Sequence, residues 1–174
     1  MRQFGKAIKE VVTTVLLAFI LALLIRNYIV DARVIPSGSM LPTIQQSDRI
    51  LVNKLAYSFK EPQRGDIIVF EAPVNVGDNQ DFIKRVIALP GETVEIKNGK
   101  VFINGKPLEE DYILEAPNYN FGPVKVPEGC LFVLGDNRNS SYDSHLWNVW
   151  LRIDKVKGKA FLRYWPPNRI GFID

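Results

Sequence analysis

The stretch Thr93-Val94-Glu95-Ile96-Lys97-Asn98-Gly99-Lys100-Val101-Phe102-Ile103-Asn104 decides the fold. Both flanks of Asn98-Gly99 alternate apolar and polar residues, the period of a strand with one buried face. Asn-Gly accepts positive φ at two successive positions, as a two-residue type I′ turn requires, so the segment is a β-hairpin. A second pair, Asn104-Gly105, predicts another turn directly after it. Outward toward the N-terminus, Arg49–Asn53 and Asp66–Glu71 are rich in β-branched residues and bounded by polar or glycine positions. Phe82–Leu89 fits strand or helix by periodicity; its β-branched content and the Pro90-Gly91 stop favour a strand. Outward toward the C-terminus, residues 107–128 are rich in proline, acid and asparagine and read as one long loop. Leu131–Leu134 and Ala160–Tyr164 read as late strands, the second stopped by Pro166-Pro167. The expected class is mainly β: a β-sheet or barrel-like domain over residues 34–174, behind one N-terminal transmembrane helix.

That helix is read from charge and hydropathy. Val11–Ile25 contains no charged residue and only two hydroxyls, Thr13 and Thr14. Extended from Ala7 to Val30, it reaches the roughly 20 helical residues that a bilayer core requires, with Lys9 and Arg26 near its ends. The first 33 residues hold five basic residues (Arg2, Lys6, Lys9, Arg26, Arg33) and two acidic ones (Glu10, Asp31), a net charge of +3. Residues 34–174, with 17 of each sign, are neutral, so the domain offers no basic excess for a nucleic-acid partner. The basic tail before the apolar run predicts a cytoplasmic N-terminus and an extracytoplasmic domain. A buried core helix and a signal peptide cut after Ala32 are the competing readings; an uncleaved anchor over residues 1–33 fits better. Polar Arg26, Asn27 and Asp31 interrupt the stretch before that cut. Trp147, Trp150 and Trp165 are candidates for contact with the lipid interface.

The chemistry-bearing segment begins two residues after Arg33. In Ile35-Pro36-Ser37-Gly38-Ser39-Met40-Leu41-Pro42-Thr43, prolines and a glycine fix a small-residue turn among apolar neighbours. Such a turn presents a hydroxyl beside backbone N–H groups aimed at one point, the requirement of acyl transfer. The hydroxyl needs a base. His145 with Asp136 or Asp143 would make a Ser-His-Asp arrangement, and a desolvated Lys84 would make a Ser-Lys pair. One histidine and one cysteine, His145 and Cys130, are too few for a zinc-type site, so no metal and no cofactor are expected.

Four segments in order resemble the bacterial type I signal peptidases, or leader peptidases. They are Pro36–Thr43, Arg64–Phe70 (RGDIIVF), Lys84–Glu92 (KRVIALPGE) and Gly135–Ser144 (GDNRNSSYDS). With the anchor before them they cover nearly the whole chain, and the ordered set is far more specific than any one of them. The resemblance implies that Ser39 is the nucleophile and Lys84 the general base. It implies that the Ser37 hydroxyl and the Ser39 N–H form the oxyanion hole, and that Ser141 orients the lysine amine. Arg85 and Asp136 match a structural ion pair, and Asp143 a supporting carboxylate. Ile35, Met40, Ile44, Val69, Phe82 and Ile83 match the lining of shallow pockets for small residues at −1 and −3 of the substrate.

The implied activity is removal of signal peptides from exported preproteins after Ala-x-Ala-type sites. The implied partners are those preproteins and the lipid bilayer of the bacterial cell membrane, near the secretion channel. Two departures stand out. His145 occupies a position where the family often has an arginine, and the chain lacks the second transmembrane segment and inserted cap of the Gram-negative enzymes. It therefore resembles the short Gram-positive form. The rivals are a Ser-Lys autoprotease of the stress-repressor type, disfavoured by the anchor, and a non-catalytic anchored β-domain that scaffolds secretion, disfavoured by the presence of Ser37, Ser39 and Lys84.

Overall fold

The computed structural model describes residues 2–77 and 80–173. It opens with helix α1, Arg2–Tyr28, whose segment Lys9–Tyr28 is long and apolar enough to cross a membrane and is unburied by the rest of the chain. Twenty helical residues rise about 30 Å, the thickness of a bilayer core. The Thr13 and Thr14 hydroxyls donate to the carbonyls of Lys9 and Glu10, at 2.8 and 2.9 Å, so neither is left unpaired on an apolar surface.

Val30 does not continue the helix. It starts strand β1, Val30–Val34, which pairs antiparallel with β2, Arg49–Asn53. The division after Arg33 therefore falls inside a strand, and the sheet begins one residue past the helix. β1 lies at the sheet edge, where alternating Asp31 and Arg33 are accommodated. Lys54 ties the two together by donating its N–H to the Ile29 carbonyl and its Nζ to that of Asn27.

Next come β3, Ile67–Glu71; β4, Asp81–Ala88; and the hairpin of β5, Thr93–Lys97, with β6, Lys100–Ile103. Asn98 and Gly99 have φ of 51° and 74°, as the expected turn requires. A two-residue β7, Lys106–Pro107, follows the second Asn-Gly turn. The segment read as one loop contains β8, Phe121–Lys125, which pairs with β5. Its Gly122-Pro123 masks the strand pattern, and proline is tolerated there because β8 is an edge strand. The chain ends with β9, Cys130–Leu134; β10, Leu151–Arg152; the long β11, Val156–Trp165; and β12, Gly171–Phe172.

The strands form two sheets. The larger runs β1-β2-β11-β3-β4-β9-β10, with β12 added to β11, and curls into a half-barrel; the smaller runs β7-β6-β5-β8. Both faces of β3 are buried: Ile67 and Val69 pack with Ile35, Met40, Ile44 and Ile83, while Ile68 and Phe70 pack with Val86, Val133 and Trp147. A third cluster, including Ile87, Ile96, Phe132 and Leu134, joins the two sheets. Of the tryptophans, Trp147 is core against Phe70 and Phe82, Trp150 is half-buried against Phe132, and Trp165 is exposed beneath the Arg49 guanidinium.

Candidate active site

β4 lies between β3 and β9 at the centre of the large sheet, so its side chains are held from both flanks. Within it Phe82, Lys84 and Val86 alternate with Ile83, which packs into the opposite cluster. Lys84 is thus an ammonium carrier embedded among apolar neighbours, 5% exposed. Ser39 arrives from the segment between β1 and β2. Met40 and Ile44, both fully buried, pin that segment to the core. Backbone bonds from Leu41 N–H to the Gly38 carbonyl and from Ile44 N–H to that of Met40 close its turns.

The two side chains meet: Lys84 Nζ donates to Ser39 Oγ at 2.8 Å, across 45 residues of sequence. Burial pushes the Lys84 ammonium down to about 8, although the charges of Asp143 and Asp136 push the other way. Ser37 Oγ lies 3.4 Å from Ser39 Oγ. Ser141 is buried near them, yet its Oγ has no hydrogen-bond partner among the described residues, so the bond to the lysine amine implied for it is not made. Gly135 explains how closely these pieces approach. A methyl group there would overlap Ser141 Oγ and the Ser39 carbonyl, so only glycine lets the two loops touch.

The loop after β9 carries the supporting polar groups. Asp136 forms a buried pair with Arg85, taking two bonds from it at 2.9 and 2.8 Å, and accepts a third from the part-buried Thr43 hydroxyl at 2.6 Å. Asn137 N–H donates to the Ser39 carbonyl and its side chain to that of Gly38, which locks the serine turn from the far side. Asp143 accepts the Gly135 N–H at 2.9 Å and contacts His145 Nδ1 at 2.6 Å. His145 bonds this carboxylate and stacks on Tyr119, with ring centroids 4.0 Å apart; it makes no hydrogen bond to Ser39. The Ser-His-Asp alternative therefore lacks its central contact.

Sequence reasoning missed a strap, residues 108–120, that lies across this loop. Glu110 forms a bidentate pair with buried Arg138, at 2.6 and 3.0 Å, and Arg138 Nε reaches the Gly135 carbonyl. The Arg85 guanidinium sits 3.9 Å over the Tyr112 ring, and Leu114 N–H donates to the Asp136 carbonyl. The only trace in the sequence is an acidic cluster, Glu109 to Asp111, in a segment without periodicity; the cation that answers it lies 28 residues on.

A cleft of about 430 Å³ opens over Ser39 and Lys84, bounded by Ser37, Phe82, Ile83, Asn137 and Tyr142. A second groove of about 340 Å³ continues from it, sharing Phe82 and Ile83 and adding Ile35 and Val69. Of the six expected pocket residues these four line the grooves. Met40 and Ile44 lie beneath, wholly inside the core, and act on the cleft through the position of Ser39. The arrangement offers a hydroxyl with a desolvated amine at its side, an open groove on one flank and apolar walls on the other, which suits attack on the carbonyl of an extended peptide.

Comparison with known proteins gives the family of the chain. The family model described as "Signal peptidase, peptidase S26" matches residues 8–165. The chain is 52% identical over 167 residues to a signal peptidase I of Leptolyngbya laminosa, covering 93% of this chain and 82% of that one. It is 52% identical over 169 residues to a probable signal peptidase I-1 of Synechocystis sp., covering 94% and 86%. A crystal structure of a signal peptidase I from Enterococcus faecalis superposes with a TM-score of 0.50 at 39% identity, over 57% of this chain and 97% of that one. The chain belongs to the signal peptidase family, peptidase S26.

Proposed function

We propose that the protein removes signal peptides from exported preproteins, with Ser39 as nucleophile and Lys84 as general base. The observation that carries this reading is the 2.8 Å bond from Lys84 Nζ to Ser39 Oγ at the floor of an open cleft, by an amine that burial makes easy to deprotonate. Neutral Lys84 takes the Ser39 proton as the hydroxyl attacks the carbonyl after the −1 residue. The oxyanion rests on the Ser37 hydroxyl and the Ser39 N–H. Lys84 returns the proton to the leaving amine, then deprotonates the water that hydrolyses the acyl-enzyme. The groove walled by Ile35, Val69, Phe82 and Ile83 leaves room for small side chains at −1 and −3, which accounts for Ala-x-Ala-type sites.

Residues 1–33 serve as an uncleaved anchor with the N-terminus in the cytoplasm, and residues 34–174 work on the outer face of a bacterial membrane. The chain resembles the short Gram-positive form of the enzyme, and its strap of residues 108–120 lies across the loop after β9. The secretion channel is the natural neighbour of such a catalyst. Cleavage of a purified preprotein in detergent or lipid tests the reading. Wild type should release the mature protein, and Ser39→Ala and Lys84→Ala should leave it uncut; full activity of Lys84→Ala would sink the assignment.

A further inference from the structure

The groove that continues from the cleft has two walls that are not neighbours in the sheet. β1 and the Ile35-Pro36 segment after it form one wall and β4 the other, while β2, β11 and β3 lie between them in sheet order. The two walls run in step. Ile35 and Ile83 face the same core cluster, and two residues before each stand Arg33 and Asp81, which the period of an extended chain puts on those same faces. Arg33 and Asp81 both line the groove, and they meet: Arg33 Nη1 lies 2.9 Å from the Asp81 carboxylate. Each end of this contact is held. Arg33 Nε donates to Asp31 of its own strand at 2.6 Å, and Lys157 Nζ, from β11, donates to the other oxygen of Asp81 at 2.6 Å. Two cations and two carboxylates thus form a neutral chain, Asp31–Arg33–Asp81–Lys157, in which Asp81 is sheltered and Arg33 stays partly in solvent. A half-exposed pair of this kind contributes little to stability. Its geometric effect is larger, because it joins an edge strand to a central one.

We propose that the Arg33–Asp81 ion pair determines specificity at −3: it clasps the two walls of the groove upstream of Ser39 and holds them at a separation that admits a small side chain and turns away a long one. The inference rests on the reading of this groove as the −1 and −3 site. Distance along the strand gives the pair its level. Asp81 precedes Lys84 by three residues, about 10 Å of extended strand. A substrate extended through the groove from a scissile carbonyl at Ser39 covers that distance in about three residues, so its −3 side chain arrives at the pair. An alanine there passes beside the two charges. A leucine has to part the guanidinium from the carboxylate, which leaves Arg33 only Asp31 and Asp81 only Lys157 as charged partners. The attraction lost in this way opposes binding of the larger residue.

The test compares two purified preproteins that differ only at −3, alanine in one and leucine in the other, cleaved by the full chain in detergent. Wild type should prefer alanine by about tenfold to a hundredfold in kcat/KM, the range open to a pocket that selects by shape. Arg33→Met removes the charge and keeps an apolar stem. It should cut that preference about tenfold, with kcat/KM rising about threefold on the leucine substrate and falling about threefold on the alanine one. Asp81→Asn should act in the same direction, and the double variant should go no further than either single one, since both remove one contact. Salt at about 1 M should lower the preference of wild type, by screening the half-exposed pair, and leave that of Arg33→Met in place. A loss of equal size on both substrates, as a merely structural pair would give, overturns the proposal, and so does a double variant whose effects add. Should Asp81→Asn not fold, Arg33→Met decides alone, because an unchanged preference removes the clasp. Failure of the groove assignment itself looks different: wild type would then cut the two substrates alike.

Discussion

At the scale of single residues, the reactivity of the site turns on one proton. An exposed lysine, with a reference value of about 10.4, is neutral in only about four of ten thousand molecules at pH 7. Burial of Lys84 to about 8 raises that fraction to about a tenth. In the proposed mechanism the neutral amine is the competent form, so activity should climb as pH rises through about 8 and level off above it. A profile of kcat/KM against pH checks the sign, and a rate that falls over this range would exclude the lysine as base. Lys84→Arg keeps the cation and roughly the volume but cannot lose its proton near neutrality. It should be as inactive as Lys84→Ala in preprotein cleavage, which separates proton transfer from mere charge. In the proposed mechanism Ser37→Ala removes one donor to the developing oxyanion, and it should lower kcat by about a hundredfold or more while KM for substrate changes little. Single-turnover rates would separate the two effects. The residues behind these predictions were legible because each sits in a short ordered motif. The state of Ser141 was not, since a buried hydroxyl without a partner depends on how closely Gly135 lets two distant loops approach.

At the scale of elements, the site is a central strand with a loop folded over it and a strap over the loop. The central parts could be read from the sequence because their signals are local. Asn98-Gly99 sets a hairpin by itself, and β4 betrays its burial through β-branched residues on both faces. The edges could not. Charges on β1 and a Gly-Pro pair in β8 are what edge strands tolerate, so they erase the pattern that marks a strand. The strap was hidden for another reason: its order comes from partners far along the chain. Glu110 is its main fastening, because Arg138 is wholly buried and has no solvent to turn to. Glu110→Ala should therefore cost about 3–5 kcal/mol of stability, the usual result of stranding one partner of a buried pair. Thermal unfolding in detergent would measure it. Because Arg138 also holds the Gly135 carbonyl, cleavage should fall along with stability. A variant with wild-type unfolding and wild-type activity would mean that the strap is passive cover.

At the scale of the whole molecule, the helix and the catalytic cleft are bound into one piece. α1 ends at Tyr28, β1 begins at Val30, and Lys54 bonds back to the last turn of the helix, so there is little slack between the anchor and the sheet. Ser39 follows β1 by five residues. With α1 acting as the proposed anchor, a preprotein whose signal peptide lies in the same bilayer is presented to the cleft within a thin layer, and tethering of this kind raises effective concentration without any new contact. The consequence is a split between substrates. A chain lacking residues 2–28 should lose about tenfold to a hundredfold in rate on a preprotein embedded in vesicles, measured at dilute enzyme. On a short soluble peptide carrying the same cleavage site it should stay within about threefold of the full chain, because the sheet, the cleft and the Lys84–Ser39 contact are all built from residues after 29. An equal loss on both substrates would show instead that α1 supports the fold of the domain, through its contacts with β1 and Lys54, and that concentration in the membrane plane contributes little.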